Sequence, residues 1–416
     1  MVFYTLGIYL YGIVLRFADL FHPKARKWVN GRQNWVDQHR KLSAALPENR
    51  SLFWFHCASL GEFEQGRPLI EKLKARPHPP LILLTFYSPS GYEIRQKYPQ
   101  ADVVAYLPLD TPAQARAFVK IWQPQLAIFV KYEFWFNILQ QLQKQHIPTL
   151  LISGLFRPGQ LFFKPYGGAF RRILEGFSHL FVQDEASGQH LLNAGIEQHT
   201  VAGDTRIDRV QSIAQQAPEI PVAARFCQSA PVLVVGSSWP EDEACLLPFL
   251  NTELPPNWKV MIAPHEISES HLKNIEQQLA LPCIRFSAAE NNLEKLDRAR
   301  VLLIDNIGML SALYQYGRLA YIGGGFKTGL HNTLEPIAFG LPVLFGPKYH
   351  KFEEARYLVR EGGGFVVTQK EELSQAFQQL QQPEAYTRAA AKALGYITQN
   401  QGATQKVLRW IESAGL

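Results

Sequence analysis

Gly323-Gly324-Gly325-Phe326-Lys327-Thr328-Gly329-Leu330-His331-Asn332-Thr333-Leu334-Glu335-Pro336 is the stretch that decides the fold. The apolar run Leu319–Ile322 before it reads as a buried strand, and three consecutive glycines let backbone N–H groups approach an anion with no Cβ in the way. From His331 onward the chain reads as a helix start whose positive end points at the same place. Asn332 and Glu335, three residues apart, then share one helix face, an amide beside a carboxylate suited to ribose hydroxyls. Strand, glycine turn and helix in that order predict the nucleotide-holding corner of an α/β domain; a packing role for the glycines is the competing reading.

Around this corner, strand and helix signals alternate along the chain. Leu52–His56, Leu81–Phe86, Val103–Leu107, Leu126–Val130, Thr149–Ile152, Leu180–Val182 and Thr200–Gly203 predict one open sheet. Val232–Val235, Lys259–Ala263, Val301–Ile304, Leu319–Ile322, Pro342–Phe345 and Gly364–Val367 predict a second. The expected fold class is α/β, two doubly wound Rossmann-like domains facing a cleft, with ligands at the carboxyl ends of the strands. The boundaries read as an N-terminal membrane-associated helix over 1–22, a first domain over 23–214, a linker over 215–225 and a second domain over 226–416. The helical stretch at the end is free to return to the first domain.

A chain of 416 residues, 47% hydrophobic and 19% charged, can bury full cores, which excludes wholesale disorder. Its net charge of +6 fits an anionic partner, and no nucleic-acid module appears. Cys57, Cys227, Cys245 and Cys283 lie far apart and predict reduced thiols. No zinc-like clustering of histidines and no Asp-x-Asp pair is present, so no metal and no bound cofactor are expected. Residues 1–15 carry no charge but are short of the roughly 20 apolar residues of a comfortable span. Lys24, Arg26, Lys27, Arg32, Arg40 and Lys41 follow, interleaved with Trp28 and Trp35, the pattern of a segment held against a membrane surface.

Glu62 follows a strand and a small-residue turn, which places a carboxylate at a strand's carboxyl end. Ser59 and Glu62 also have the spacing of a capping box, so a structural role competes with that of a base.

His56-Cys57-Ala58-Ser59-Leu60-Gly61-Glu62, Glu133-Phe134-Trp135 with Asn137, Gly203-Asp204-Thr205-Arg206-Ile207-Asp208, Gly236-Ser237-Ser238 and the block from Gly323 through Leu344-Phe345-Gly346-Pro347 together resemble the bacterial 3-deoxy-D-manno-octulosonic acid (Kdo) transferases of lipopolysaccharide assembly. The resemblance implies the two-domain glycosyltransferase B fold, the cytoplasmic face of the inner membrane, CMP-Kdo as donor substrate and a lipid A precursor as acceptor. It implies Glu62 as the catalytic base. It also implies a donor site drawn from Ser237, Ser238, His265, Gly308, Gly324, Gly325, Asn332 and Glu335. The alternative is another two-domain glycosyltransferase, or an epimerase, using a UDP-sugar.

The chain departs from the family in four places. Ala263-Pro264-His265 replaces Pro-Arg-His, so an arginine expected near the phosphate is missing, with Lys327, Lys348 or His265 as substitutes. Lys131 stands where relatives carry an acid, Gly154 where an arginine is common, and Met309 where an acid is usual.

Overall fold

The computed structural model describes residues 2–47, 51–327 and 329–416; Thr328 of the glycine stretch and Met1 of the expected anchor lie outside the described residues. The chain forms two α/β units, Met1–Asp208 with Gln401–Leu416, and Arg209–Asn400.

The first unit opens with helices α1 (Val2–Ala18), α2 (Pro23–Asn30) and α3 (Trp35–Ala44). Its sheet contains β1 (Leu52–Cys57), β2 (Leu81–Phe86), β3 (Val103–Tyr106), β4 (Leu126–Val130), β5 (Thr149–Gly154), β6 (His179–Val182) and β7 (His199–Val201), and α4 (Leu60–Lys74) follows β1. The order is β3-β2-β1-β4-β5-β6-β7, all parallel. Every residue of β1, β2, β4 and β5 is buried, as a parallel sheet covered on both faces requires. Phe53, Phe55 and Cys57 join Leu69, Ile70 and Leu73 of α4 on one face, while Trp54 packs with Phe118 and Phe129 on the other. Each fully buried large side chain contributes about 1.5–3 kcal/mol.

The second unit contains β8 (Val232–Ser238), β9 (Lys259–Pro264), β10 (Cys283–Arg285), β11 (Val301–Leu303), β12 (Leu319–Ile322), β13 (Val343–Phe345) and β14 (Gly364–Val366), ordered β10-β11-β9-β8-β12-β13-β14 and all parallel. In each unit the chain reverses its direction of winding beside the first strand, between β1 and β4 and between β8 and β12. Loops leaving the carboxyl ends there diverge and open a crevice.

The expected boundaries are displaced. Helix Thr205–Gln215 runs unbroken through the division at 208/209, and Pro221, inside the expected linker, opens helix Pro221–Cys227, whose first position tolerates a missing N–H. Helix Ala403–Ser413 belongs to the first unit, where Ala403, Val407, Leu408 and Ile411 join the core of Phe53 and Phe55. Asp208 fastens it by accepting from the backbone N–H groups of Gly402 and Thr404.

At the amino terminus, α1 has 17 residues and so spans about 26 Å, short of a hydrocarbon core of about 30 Å. Among the described residues no single helix is long and apolar enough to cross a membrane, and α1 and α2 meet at a bend of 119°. The apolar side chains of α1 are bare, with Phe3 88% and Phe17 68% exposed. Tyr4 ties the helix down by donating to Asp110 Oδ2 at 2.7 Å, and Gly12 lies against Leu109.

Candidate active site

In the first unit Glu62 stands at the third position of α4, and its Oε2 accepts the Ser59 N–H at 3.0 Å, closing the capping box. The carboxyl group is partly buried. Burial first, and then the negative charge of Glu133, push its proton affinity up to about 7; the N–H groups of Ala58 and Ser59 and the cation of Lys131 pull the other way. Lys131 therefore favours the ionised form of Glu62. A carboxylate titrating near 7 has the strength of a general base at neutral pH.

Glu133, assigned no role from the sequence, lies in a buried polar cluster at the β1/β4 switch point. Trp135 Nε1 donates to Glu133 Oε2 at 2.6 Å and lies 3.0 Å from His56 Nε2, which is 3.1 Å from the same carboxylate oxygen. On its far side His56 Nδ1 meets Thr85 Oγ1 at 2.9 Å, and that oxygen accepts from Trp54 Nε1 at 2.7 Å. The ring of Tyr87 packs on Trp135 with centroids 4.4 Å apart. The available signal was an acid after a strand that pairs with the strand leading to Glu62.

In the second unit, Ser237, Gly308, Asn332 and Glu335 line one cavity of about 240 Å³ at the β8/β12 switch point, together with Ser311, Tyr314 and His331. Glu335 is held on both oxygens, Oε2 accepting from Ser311 Oγ and Oε1 from Asn332 Nδ2, each at 2.9 Å. Ser311 comes from the short helix Leu310–Leu313, 24 residues away in sequence, and was missed. Asn332 does not share a helix with Glu335. The helix is only Leu334–Ala338, and Asn332 precedes it, its Oδ1 accepting the Leu334 N–H at 3.1 Å. The expected helix end at His331 is therefore a loop, with the His331 N–H bonded to Gly323 O.

Three other expected donor residues are occupied elsewhere. Ser238 is fully buried and donates to Glu243 Oε1 at 2.8 Å. The Gly324 N–H donates to Asp242 Oδ2 at 2.8 Å; Asp242 also accepts from Trp239 N–H at 2.9 Å and Tyr321 OH at 3.1 Å. Gly325 is packed against backbone, where a Cβ would lie 2.6 Å from Gly346 N. Both glycines stand where the chain approaches itself closely.

His265 stacks on Trp239 and His331, with centroids at 4.4 and 4.5 Å. Burial, and then His265, push the proton affinity of His331 down to about 4, so its ring is neutral at pH 7. Its Nε2 accepts from Trp239 Nε1 at 2.9 Å, which makes Nδ1 the proton-bearing donor beside the cavity. Of the suggested substitutes for the missing arginine, Lys327 pairs with Glu241 at 3.2 Å and Lys348 donates to Lys327 O at 3.0 Å. Among the described residues no group of three or more His, Cys, Asp or Glu side chains is placed to hold a metal ion.

Residues 32–209 match the family model described as 3-deoxy-D-manno-octulosonic-acid transferase (kdotransferase), and full-length relatives extend the match through both units. Over that segment the chain is similar to the Kdo transferases. It is 28% identical to the 3-deoxy-D-manno-octulosonic acid transferase of Aquifex aeolicus, over 79% of this chain and 86% of that one. It is 25% identical to that of Haemophilus influenzae, over 95% and 94%. Among solved structures it is similar to the UDP-GlcNAc 2-epimerase of Neisseria meningitidis, at TM-score 0.60 and 16% identity, covering 87% of this chain and 99% of that one. That likeness concerns the fold alone.

Proposed function

We propose that the chain is an inverting glycosyltransferase that moves Kdo from CMP-Kdo to a lipid A precursor in lipopolysaccharide biosynthesis. The observation that carries the reading is Glu62, a carboxylate in the first turn of α4 with proton affinity near 7, inside the segment that matches the family model. Its carboxylate takes the proton of the acceptor hydroxyl as that oxygen bonds to the anomeric carbon of Kdo. The bond from that carbon to the phosphate oxygen breaks, and its electron pair leaves with CMP. The departing group is already a stable anion, so no general acid and no metal are required.

In the donor cavity, Glu335 takes the ribose hydroxyls, fixed for that purpose by Ser311 and Asn332. His331 Nδ1 and the Ser237 hydroxyl supply donors to anionic oxygens. The acceptor is membrane-borne, which accords with the bare apolar surface of α1 and the basic residues of α2, and we place the protein on the cytoplasmic face of the inner membrane. A UDP-sugar donor has only a fold likeness in its favour.

The test is transfer from freshly generated CMP-Kdo to a tetraacylated lipid A precursor, read by mass. A gain of one or more Kdo units, abolished in Glu62→Gln, is the expected result. No gain with a well-folded chain would overturn the reading.

A further inference from the structure

A second cavity, of about 840 Å³, lies in the first unit beneath α1, bounded by α1, α2, the start of α3 and the loop after β3. Ile13, Val29, Trp35 and Leu109 give it apolar walls. Its polar lining includes Asp19, Gln33, Asn34, Thr111 and Gln114 beside the donors Arg16, Trp28 and Arg32. Trp28 is buried and lines it, and the Trp28 indole Nε1–H has no hydrogen-bond partner, an arrangement that native interiors rarely leave unfilled. Arg32, also on the wall, sits between the rings of Trp28, Tyr87 and Tyr106, with its guanidinium carbon 3.9, 4.9 and 4.7 Å from their centroids.

The Arg32 guanidinium donates to the carbonyls of Leu107 (2.7 Å), Trp28 (3.1 Å) and Tyr87 (2.8 Å), and no carboxylate among the described residues pairs with it. Burial pulls its proton affinity down to about 9, the sign of a cation without its counterion. Arg16 adds a second cation at the wall, while Asp19, the acid beside it, is paired with Arg26 at 3.6 Å. Above the cavity, α1 presents bare apolar side chains.

We propose that this cavity holds one anionic phospholipid drawn from the bilayer, with its phosphate on Arg16, Arg32 and the Trp28 N–H and an acyl chain along the apolar walls. An apolar trough with uncompensated cations, roofed by a helix whose outer face suits the lipid interface, matches that ligand in charge and in shape. The bound lipid then cements α1 to the body of the first unit, so membrane attachment rests on a specific site as well as on the apolar helix.

Native mass spectrometry of the full chain released from mild detergent tests this, with phosphatidylglycerol, phosphatidylcholine of the same acyl chains, and inorganic phosphate as probes. The expected result is one phosphatidylglycerol retained per chain, at least tenfold in preference to phosphatidylcholine. Retention should fall about tenfold in Arg16→Gln and in the cavity-filling Ile13→Trp, both with unchanged circular dichroism. Equal retention of phosphatidylcholine, retention undiminished in Ile13→Trp, or displacement of the lipid by inorganic phosphate would each overturn the proposal. Displacement one for one by the acylated acceptor would also overturn it, assigning the cavity to substrate. The binding readout needs no donor sugar, so it fails or succeeds independently of Kdo transfer.

Discussion

Glu62 and Glu133 stand after neighbouring strands, β1 and β4, and the negative charge of the second helps to hold the proton on the first. Because the base works only when ionised, kcat/KM should rise with pH through about 7. In Glu133→Gln that repulsion is gone, the proton leaves Glu62 more readily, and the rise should move to lower pH. A rate–pH profile of the two proteins checks this, and an unmoved limb would separate Glu62 from the titration.

Glu62→Gln should lower turnover by about 10²-fold or more, the scale of a lost general base, with CMP affinity unchanged. Single-turnover transfer beside calorimetric CMP titration separates the two quantities.

The same raised proton affinity bears on stability. An acid whose folded value lies above its unfolded one of about 4.3 stabilises the fold at low pH and loses that contribution as pH rises through the folded value, here about 7. Glu62→Gln removes the penalty, so the mutant's thermal midpoint should gain on the parent's between pH 5 and pH 8. Calorimetry at the two pH values shows the trend, and a constant difference would contradict it.

Glu335→Gln should weaken CMP binding by roughly 10- to 100-fold, since hydrogen bonds to a charged partner contribute about 1.5–3 kcal/mol. Ser311→Ala should produce a smaller loss in the same titration, because it frees one oxygen of Glu335 without removing the charge.

Gly325→Ala should lower stability without touching the cavity. Its Cβ would meet the Gly346 backbone at 2.6 Å, and overpacking of this kind costs about 1–3 kcal/mol. At roughly 2–4 °C per kcal/mol for a unit of this size, the thermal midpoint should fall by several degrees while CMP affinity in the cold persists.

Both sheets were legible because parallel strands covered on two faces read as unbroken apolar runs, as Leu81–Phe86 does. The strand that escaped notice, β10, has three residues at a sheet edge, too few for any pattern. Around the cavity at the β8/β12 switch point, Asn332 and Glu335 were nameable from order along the chain, and Ser237 and Gly308 from the resemblance. The Asp242 bond to Gly324 joins residues 82 apart and the Ser311 bond to Glu335 residues 24 apart, and such pairings exist only once strands are side by side. The helix was read as starting at His331 because an amide and an acid three apart imitate a helix face. The structure obtains the same pairing from a loop residue and a first-turn residue.

Because Ala403–Ser413 completes the core around Phe53 and Phe55, the first unit is written in two instalments, with the whole of Arg209–Asn400 between them. During vectorial synthesis the unit Arg209–Asn400 has its full sequence outside the ribosome before the unit that contains Glu62 does. Until residues 401–416 emerge, one face of the sheet beside α4 lacks its final cover, so the unit that contains Glu62 is the later one to mature.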